Sequence, residues 1–299
     1  MDNLLLLGGC FLLGIALGRF ERFPKNAPAA LNAFVINISL PALVLLHIHD
    51  LPFDRSLVVA ALMPWVLFAI GALLFHLIGR WLGLPPRTVG CLTLLGGLGN
   101  TSFVGLPMIE AFYGRDALGI GILADQPGSF LTLATAGLVV ATRYSSGDVT
   151  FRGIAGRVFR FPPFIAMLAA AALIPVEYPD IASSFLRRLG DTLAPLALVS
   201  VGLQLRLAHL RGNGRNLALG LGYKMVLAPA LILLLLSTIP GIEKIVFQVT
   251  VFEAAMAPMI TAGIVAIEHD LDPPLATLML GVGIPLSFLT LPLWAAGTR

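Results

Sequence analysis

Charge is what this sequence has least of. Only 12% of its 299 residues are Asp, Glu, Lys or Arg, against 58% apolar, where a soluble domain carries about 25% charged residues. A chain so poor in charge cannot coat a water-soluble globule. Cysteine is scarce too. Cys10 and Cys91 both fall inside apolar runs, where they read as small core residues and not as a disulfide frame or metal site. The net charge is +3 and no basic run is present, so nucleic acid is not an expected partner. The sequence has no His-Glu-x-x-His zinc motif, no Gly-x-Ser-x-Gly elbow and no carboxylate pair at catalytic spacing. Neither an intramembrane enzyme nor a resident cofactor is expected on those grounds. The alternating dyads of a membrane barrel are also missing.

What remains is a series of apolar runs long enough to cross a bilayer, about 20 residues each. Backbone in lipid must satisfy its own hydrogen bonds, so each run is expected to be a helix. Breaks at charge and Pro/Gly clusters divide the chain into ten runs: 3–19, 27–47, 56–82, 88–112, 117–142, 159–175, 183–207, 215–238, 244–267 and 273–296. Arg187 and Arg188 make the start of the seventh the least defined. The opening Met-Asp-Asn lacks the positive region of a cleaved signal peptide, so the first run is expected to stay as a span. With the N-terminus outside, twelve Lys and Arg fall in inside connections and six in outside ones, leaving Lys224 within a run. Positive-inside bias therefore places both termini outside a cell (inner) membrane. The longest inside connection sets a division into 1–143, a linker at 144–158, and 159–299.

The two parts repeat each other. Pro127-Gly-Ser-Phe-Leu-Thr-Leu133 returns as Pro285-Leu-Ser-Phe-Leu-Thr-Leu291, 158 residues later. Pro107-Met-Ile109 returns as Pro258-Met-Ile260 at an offset of 151, and Asn37-Ile-Ser-Leu-Pro41 as Asp191-Thr-Leu-Ala-Pro195 at an offset of 154. Three matches in one order at a nearly constant offset point to duplication. A unit of five spans must enter the membrane in opposite directions in its two copies. The expected fold is therefore all-α and polytopic, with ten transmembrane helices in two inverted five-helix repeats. Transporters of that symmetry bind near the midplane, between discontinuous helices.

Candidate site residues cluster where the fourth and ninth runs should break. Pro107 cannot donate to the carbonyl of Phe103, and glycines 96, 97, 99 and 105 weaken the same run. Asn100, Thr101 and Ser102 would stand just ahead of a second half-helix whose free N–H groups suit a carboxylate. A kink whose polar side chains bond the local backbone is the structural alternative. In the ninth run Glu253 precedes Pro258 and takes the place of Ser102 by offset. A carboxylate at that depth is costly unless neutralised, which suits it to carry a proton or meet a substrate. Lys224 lies about 15 Å deep and is expected to pair with Glu253, Asp125 or an anion. Asp125 is the third buried ionisable group, with helix capping as its competing role; Asp191 lies nearer a face. His47, His49, His209 and His269 fall near expected helix ends and His76 has no partner near in sequence, so none is a site candidate. Gly14 and Gly18 have the spacing of close helix packing.

Gly99-Asn100-Thr101-Ser102-Phe103-Val104-Gly105-Leu106-Pro107 resembles the G-N-T-x-F-x-G-L-P signature of the auxin efflux carrier family, the bacterial relatives of plant PIN transporters. Asn37-Ile-Ser-Leu-Pro-Ala-Leu43 is similar to that family's second-helix motif, and Asp125 and Lys224-Met-Val-Leu-Ala-Pro229 fall where it tends to have an acid and a basic residue before proline. The resemblance implies a scaffold of helices 1, 2, 6 and 7, often dimeric, and a transport domain of helices 3–5 and 8–10 in which helices 4 and 9 cross. It implies transport of organic anions, auxin in plants and dicarboxylates such as malate or malonate in bacteria, by elevator-type alternating access. Asn100, Thr101, Ser102, Pro107, Lys224, Glu253 and Pro258 would then form the substrate site, with Glu253 or Asp125 coupling to a proton. The plant Asn-Pro-Asn-x-Tyr crossover sequence and long central loop are absent, so auxin itself is not expected and a bacterial origin is. Two alternatives stay open. One is a sodium-coupled organic-anion symporter of the bile-acid type, disfavoured because hard cations want several oxygens and the ninth run supplies few. The other is a channel.

Overall fold

The computed structural model describes residues 2–20, 23–24, 26–49, 56–145, 160–204 and 213–298, with backbone alone for 2–6. Outside them lie Arg22, Lys25, Arg55, Arg152, Arg157, Arg206, His209, Arg211 and Arg299, and all but the first two residues of the 144–158 linker. The described chain is helical: α1 (Asp2–Gly18), α2 (Ala27–His49), α3 (Leu57–Leu82), α4 (Pro86–Gly97), α5 (101–113), α6 (118–144), α7 (Pro162–Leu173), α8 (Asp180–Gly190), α9 (Leu193–Gln204), α10 (Gly214–Ser237), α11 (Lys244–Ala254), α12 (Ile260–Glu268) and α13 (Pro273–Gly297). Among the described residues, α2, α3, α10 and α13 are each long and apolar enough to cross a membrane. Large apolar side chains face outward as well as inward, among them Leu62, Leu73, Leu77, Leu234, Leu289 and Leu293. Helices apolar on every side belong in lipid. This is a polytopic membrane protein.

The seventh run differs from expectation at its start. Its helix begins at Asp180 and bends at 191–192, so it forms α8 and α9. Asp180 in the first turn and Arg187 and Arg188 in the last complement the helix dipole, which is why a charged segment winds. The sixth run is shorter than expected, ending at Leu173.

Four prolines inside the spans meet widened, π-wound turns, while Pro64, Pro285 and Pro292 lie within regular α-helix. Such turns cover Val35–Ser39, Thr101–Gly105 and Tyr223–Leu227, and each is followed two residues later by proline: Pro41, Pro107 and Pro229. Pro127 lies inside a fourth, Ala124–Phe130. Proline clashes with the carbonyl four residues back, and a π turn moves that carbonyl aside. Carbonyls in two of these turns are taken up by tryptophans: Trp65 Nε1 donates to Pro127 O at 2.8 Å and Trp294 Nε1 to Met225 O at 3.0 Å.

Two groups of helices emerge from the packing. Helices α1, α2, α7, α8 and α9 lie against one another; α3–α6 and α10–α13 do the same, and the groups meet where α5 and α6 face α1, α2, α7 and α9. Gly14 and Gly202 bring α1 and α9 together. A Cβ on Gly14 would stand 2.3 Å from Val199 O, and one on Gly202 2.3 Å from Phe11 O. At the end where α4 and α13 begin, Arg87 bonds Asp270 and Thr88 Oγ1 donates to Asp272 at 2.7 Å. Asp272 also caps α13 through Leu275 N.

Candidate functional site

The helix of the fourth run stops at Gly97, and the chain is non-helical through 98–100 before α5 begins at Thr101. The glycines end it. Pro107 does not: it sits within α5, accommodated by the π turn ahead of it. Asn100 stands just ahead of α5, and Thr101 and Ser102, expected ahead of it too, form its first two residues. In the ninth run α11 stops at Ala254 and α12 starts at Ile260. The two interruptions face each other. Asn100 N donates to Ala257 O at 2.8 Å and Met259 N to Leu98 O at 3.1 Å, an antiparallel bridge of Gly99 with Pro258. Each break thus satisfies backbone groups that the other leaves free, as buried main chain at membrane depth must.

A cavity of about 220 Å³ lies beside this bridge. Asn100, Thr101, Ser102 and Asp125 line it, together with Met259, Ile260 and Thr261 at the start of α12. Its other walls are apolar: Ile36 and Leu40 of α2, Phe130, Leu133, Ala134 and Leu138 of α6, and Phe161 and Val265. The first N–H groups of α5 and α12 have no partner within their own helices, so two helix starts with positive dipole ends border one small hollow. A larger crevice of about 780 Å³ runs between the α1–α2 connection, α9, α12 and α13, and shares Ile260 with the smaller cavity.

The polar floor is specific. Several other span hydroxyls turn back on their own helix: Thr93, Thr132, Thr142 and Thr277 each donate to the carbonyl four residues earlier, the usual resort of a hydroxyl in lipid. Thr101 and Ser102 instead both donate to Oδ1 of Asp125, Thr101 at 2.5 Å. Gln126 Nε2 donates to Oδ2 at 2.5 Å. Asn100 Oδ1 accepts from Phe103 N at 3.2 Å and caps α5, while its buried Nδ2 has no hydrogen-bond partner.

Lys224 and Glu253 lie on the break but do not line the cavity. Lys224 Nζ donates to Ala254 O at 2.9 Å, placing a cation on the negative C-terminal end of α11. Gly99 makes room for it, since a Cβ there would be 3.1 Å from Nζ. No ion pair joins the ammonium to Glu253. Glu253 is fully buried, and neither carboxylate oxygen has a hydrogen-bond partner. It is seated against two glycines: a Cβ on Gly105 would come within 2.7 Å of both oxygens, and one on Gly121 within 3.3 Å of Oε1. The structure thus brings Asn100, Thr101, Ser102 and Asp125 together around one hollow, and sets Lys224, Glu253 and Pro258 behind it. Sequence reasoning missed Gln126, Thr261 and the aromatic walls Phe130 and Phe161. Gln126 adjoins Asp125 and was legible; the aromatics carry no local signal.

A membrane protein in which two interrupted helices meet break to break, with both resuming helices starting at a partly polar hollow, is built as a membrane transporter. The family bears this out: the chain belongs to the membrane transport protein family, which matches residues 9–295, and the likeness to auxin efflux carriers holds. It is 29% identical over 287 residues to an uncharacterized transporter of Methanothermobacter thermautotrophicus, covering 95% of this chain and 93% of that one. To an uncharacterized transporter of Methanocaldococcus jannaschii it is 26% identical over 305 residues, 98% and 97% of the two chains. A Rhizobium meliloti protein named as a candidate malonate transporter is 26% identical over 259 residues, 83% and 80%.

Proposed function

We propose that this protein is a secondary transporter of small organic anions, and that the cargo's carboxylate sits in the 220 Å³ cavity beside the paired breaks. The observation that carries this reading is the convergence of the α5 and α12 starts on one hollow that also holds the unpartnered amide of Asn100. Both helix ends and the amide offer hydrogen to an anion. The volume suits a compact acid, and the apolar walls suit a short hydrocarbon body. The name of the Rhizobium meliloti relative points to a dicarboxylate of that size.

Alternating access would follow an elevator scheme. The cavity takes Ile36, Leu40 and Phe161 from one packing group or its approach, and its remaining walls from the other. A site on such a boundary is uncovered when one group slides past the other. The repeated segments 37–41 and 191–195 touch through Ser39 Oγ and Thr192 Oγ1 at 2.7 Å, which supports ten spans in two inverted copies about an axis near that contact. In this scheme α1, α2 and α7–α9 form the scaffold and the rest the moving part. Phe161 and Leu138 adjoin the connection that charge bias assigns to the inside, so the cavity would open inward.

A thermal-shift screen of the purified protein tests the reading. Malonate, malate, butyrate and indole-3-acetate are titrated with and without Na⁺. At least one of the small acids is expected to raise the melting temperature progressively with concentration, as a native-state ligand must. No shift with any of them would remove the anion site. A sodium-coupled reading draws on Glu253, whose two oxygens are unpartnered. Full uptake by proteoliposomes with Na⁺ replaced by choline would remove that alternative.

A further inference from the structure

The hydroxyls of Thr101 and Ser102 make this cavity switchable. Both donate to the same oxygen, Asp125 Oδ1, and the other oxygen is held by Gln126 Nε2. A hydroxyl has one hydrogen and two lone pairs. While Asp125 is a carboxylate, both hydrogens point at it, and the two hydroxyl oxygens can only accept from whatever enters the cavity. A carboxylate cargo only accepts as well. It would meet lone pairs backed by a buried negative charge.

We propose that one proton on Asp125 Oδ1 converts this wall from acceptor to donor, so that the cavity takes up an organic anion and a proton together. The inference rests on the reading of the cavity as an anion site. The proton arrives from water in the cavity and bonds to Oδ1. The new O–H donates to one of the two hydroxyl oxygens. That hydroxyl must release Oδ1 and turns its own hydrogen into the hollow, toward the cargo. Oδ1 is the better seat for the proton, because a hydroxyl turns from donor to acceptor by rotation, whereas the Gln126 amide presents an N–H to Oδ2. Release reverses each step: the anion leaves, the hydroxyl returns to Oδ1, and the proton departs. The negative charge of Asp125 is cancelled while the cargo is bound, and cargo and proton stand in a ratio of one to one.

Charged groups around Asp125 are few. Glu253 on α11 acts on it electrostatically, with Lys224 on α10 behind. Ala61, Pro64 and Trp65 of α3 meet this segment, and neither α7 nor 101–105 contains a titratable residue. Of the two buried acids only Asp125 lines the cavity, so Asp125 is the positioning residue and Glu253 is not part of the relay.

Isothermal titration of the purified full-length protein with malonate and with butyrate tests this, in buffers of different ionisation enthalpy, which counts protons taken up per anion bound. From about pH 5 to about pH 9 the count is expected to rise from zero to about one proton per anion as Asp125 ionises in the free protein, with affinity falling about tenfold per pH unit beyond that point. Asp125→Asn, whose amide donates permanently to a hydroxyl, is expected to bind with no proton uptake and no slope. Glu253→Gln is expected to keep the wild-type count. Thr101→Val combined with Ser102→Ala is expected to lower anion affinity more than about tenfold at every pH, because the donor is gone. Anion binding to the wild type without proton uptake at any pH in that range overturns the relay and leaves the anion site standing. Proton uptake that persists in Asp125→Asn also overturns it. Failure of both acids to bind the wild type at any pH overturns the anion site and the relay together. The wild-type count decides the matter even if a variant does not fold.

Discussion

Asn100→Asp should abolish carboxylate binding while leaving the protein folded. Asp keeps the oxygen that accepts from Phe103 N, so the cap on α5 survives, and Asp is as good a cap as Asn. What it removes is the buried Nδ2, which has no partner in the protein. An amide left unpaired in a buried site costs about 1–3 kcal/mol, a cost that a bound acceptor recovers. Asp also sets a negative charge where the cargo's own must lie. Affinity for the best-binding acid should fall more than about a hundredfold, roughly 3 kcal/mol, while the protein without ligand still elutes as a single folded peak. Unchanged affinity would take Asn100 out of the site.

The second large effect concerns the fold and not the cargo. Gly202→Val should cost the protein its folded state in detergent. The added Cβ would meet Phe11 O at 2.3 Å and Gly14 Cα at 2.9 Å. These are main-chain atoms that cannot rotate away, so α1 must separate from α9. Overpacking of a close-packed contact costs about 1–3 kcal/mol even where side chains can yield, and here none can. Size-exclusion profiles should show aggregate in place of a single folded peak. Gly18→Ala is the control, because its nearest neighbour would be 3.5 Å away; its melting temperature should match the wild type.

Much of this architecture was legible in the amino-acid sequence, and the reasons differ by element. The spans were legible because lipid enforces long apolar runs between charges. The break before Thr101 was legible because glycine and proline coincide there, but the resuming helix starts two residues earlier than expected, at Thr101. Proline terminates a helix only when its turn keeps α spacing, and the π turn at Thr101–Gly105 depends on packing that a local pattern does not display. Asn100, Thr101, Ser102 and Asp125 were legible as buried polar groups out of place in lipid. That Thr101 and Ser102 bond an acid 23 or 24 residues onward follows from how α5 and α6 pack. Lys224 was legible as anomalous, yet its partner is a main-chain carbonyl, and a backbone group leaves no mark in a residue pattern. Phe161 forms part of the cavity wall from outside any helix, and its role depends wholly on where the chain returns.

The bridge between Gly99 and Pro258 is made of peptide groups alone. Its hydrogen bonds use no side chain, so the join between the two arms does not depend on what the protein carries. Selectivity is free to be rewritten at Phe130, Leu133 and Phe161 without loosening that join. Homologues that move different acids should therefore share the same central rivet and differ in its upholstery.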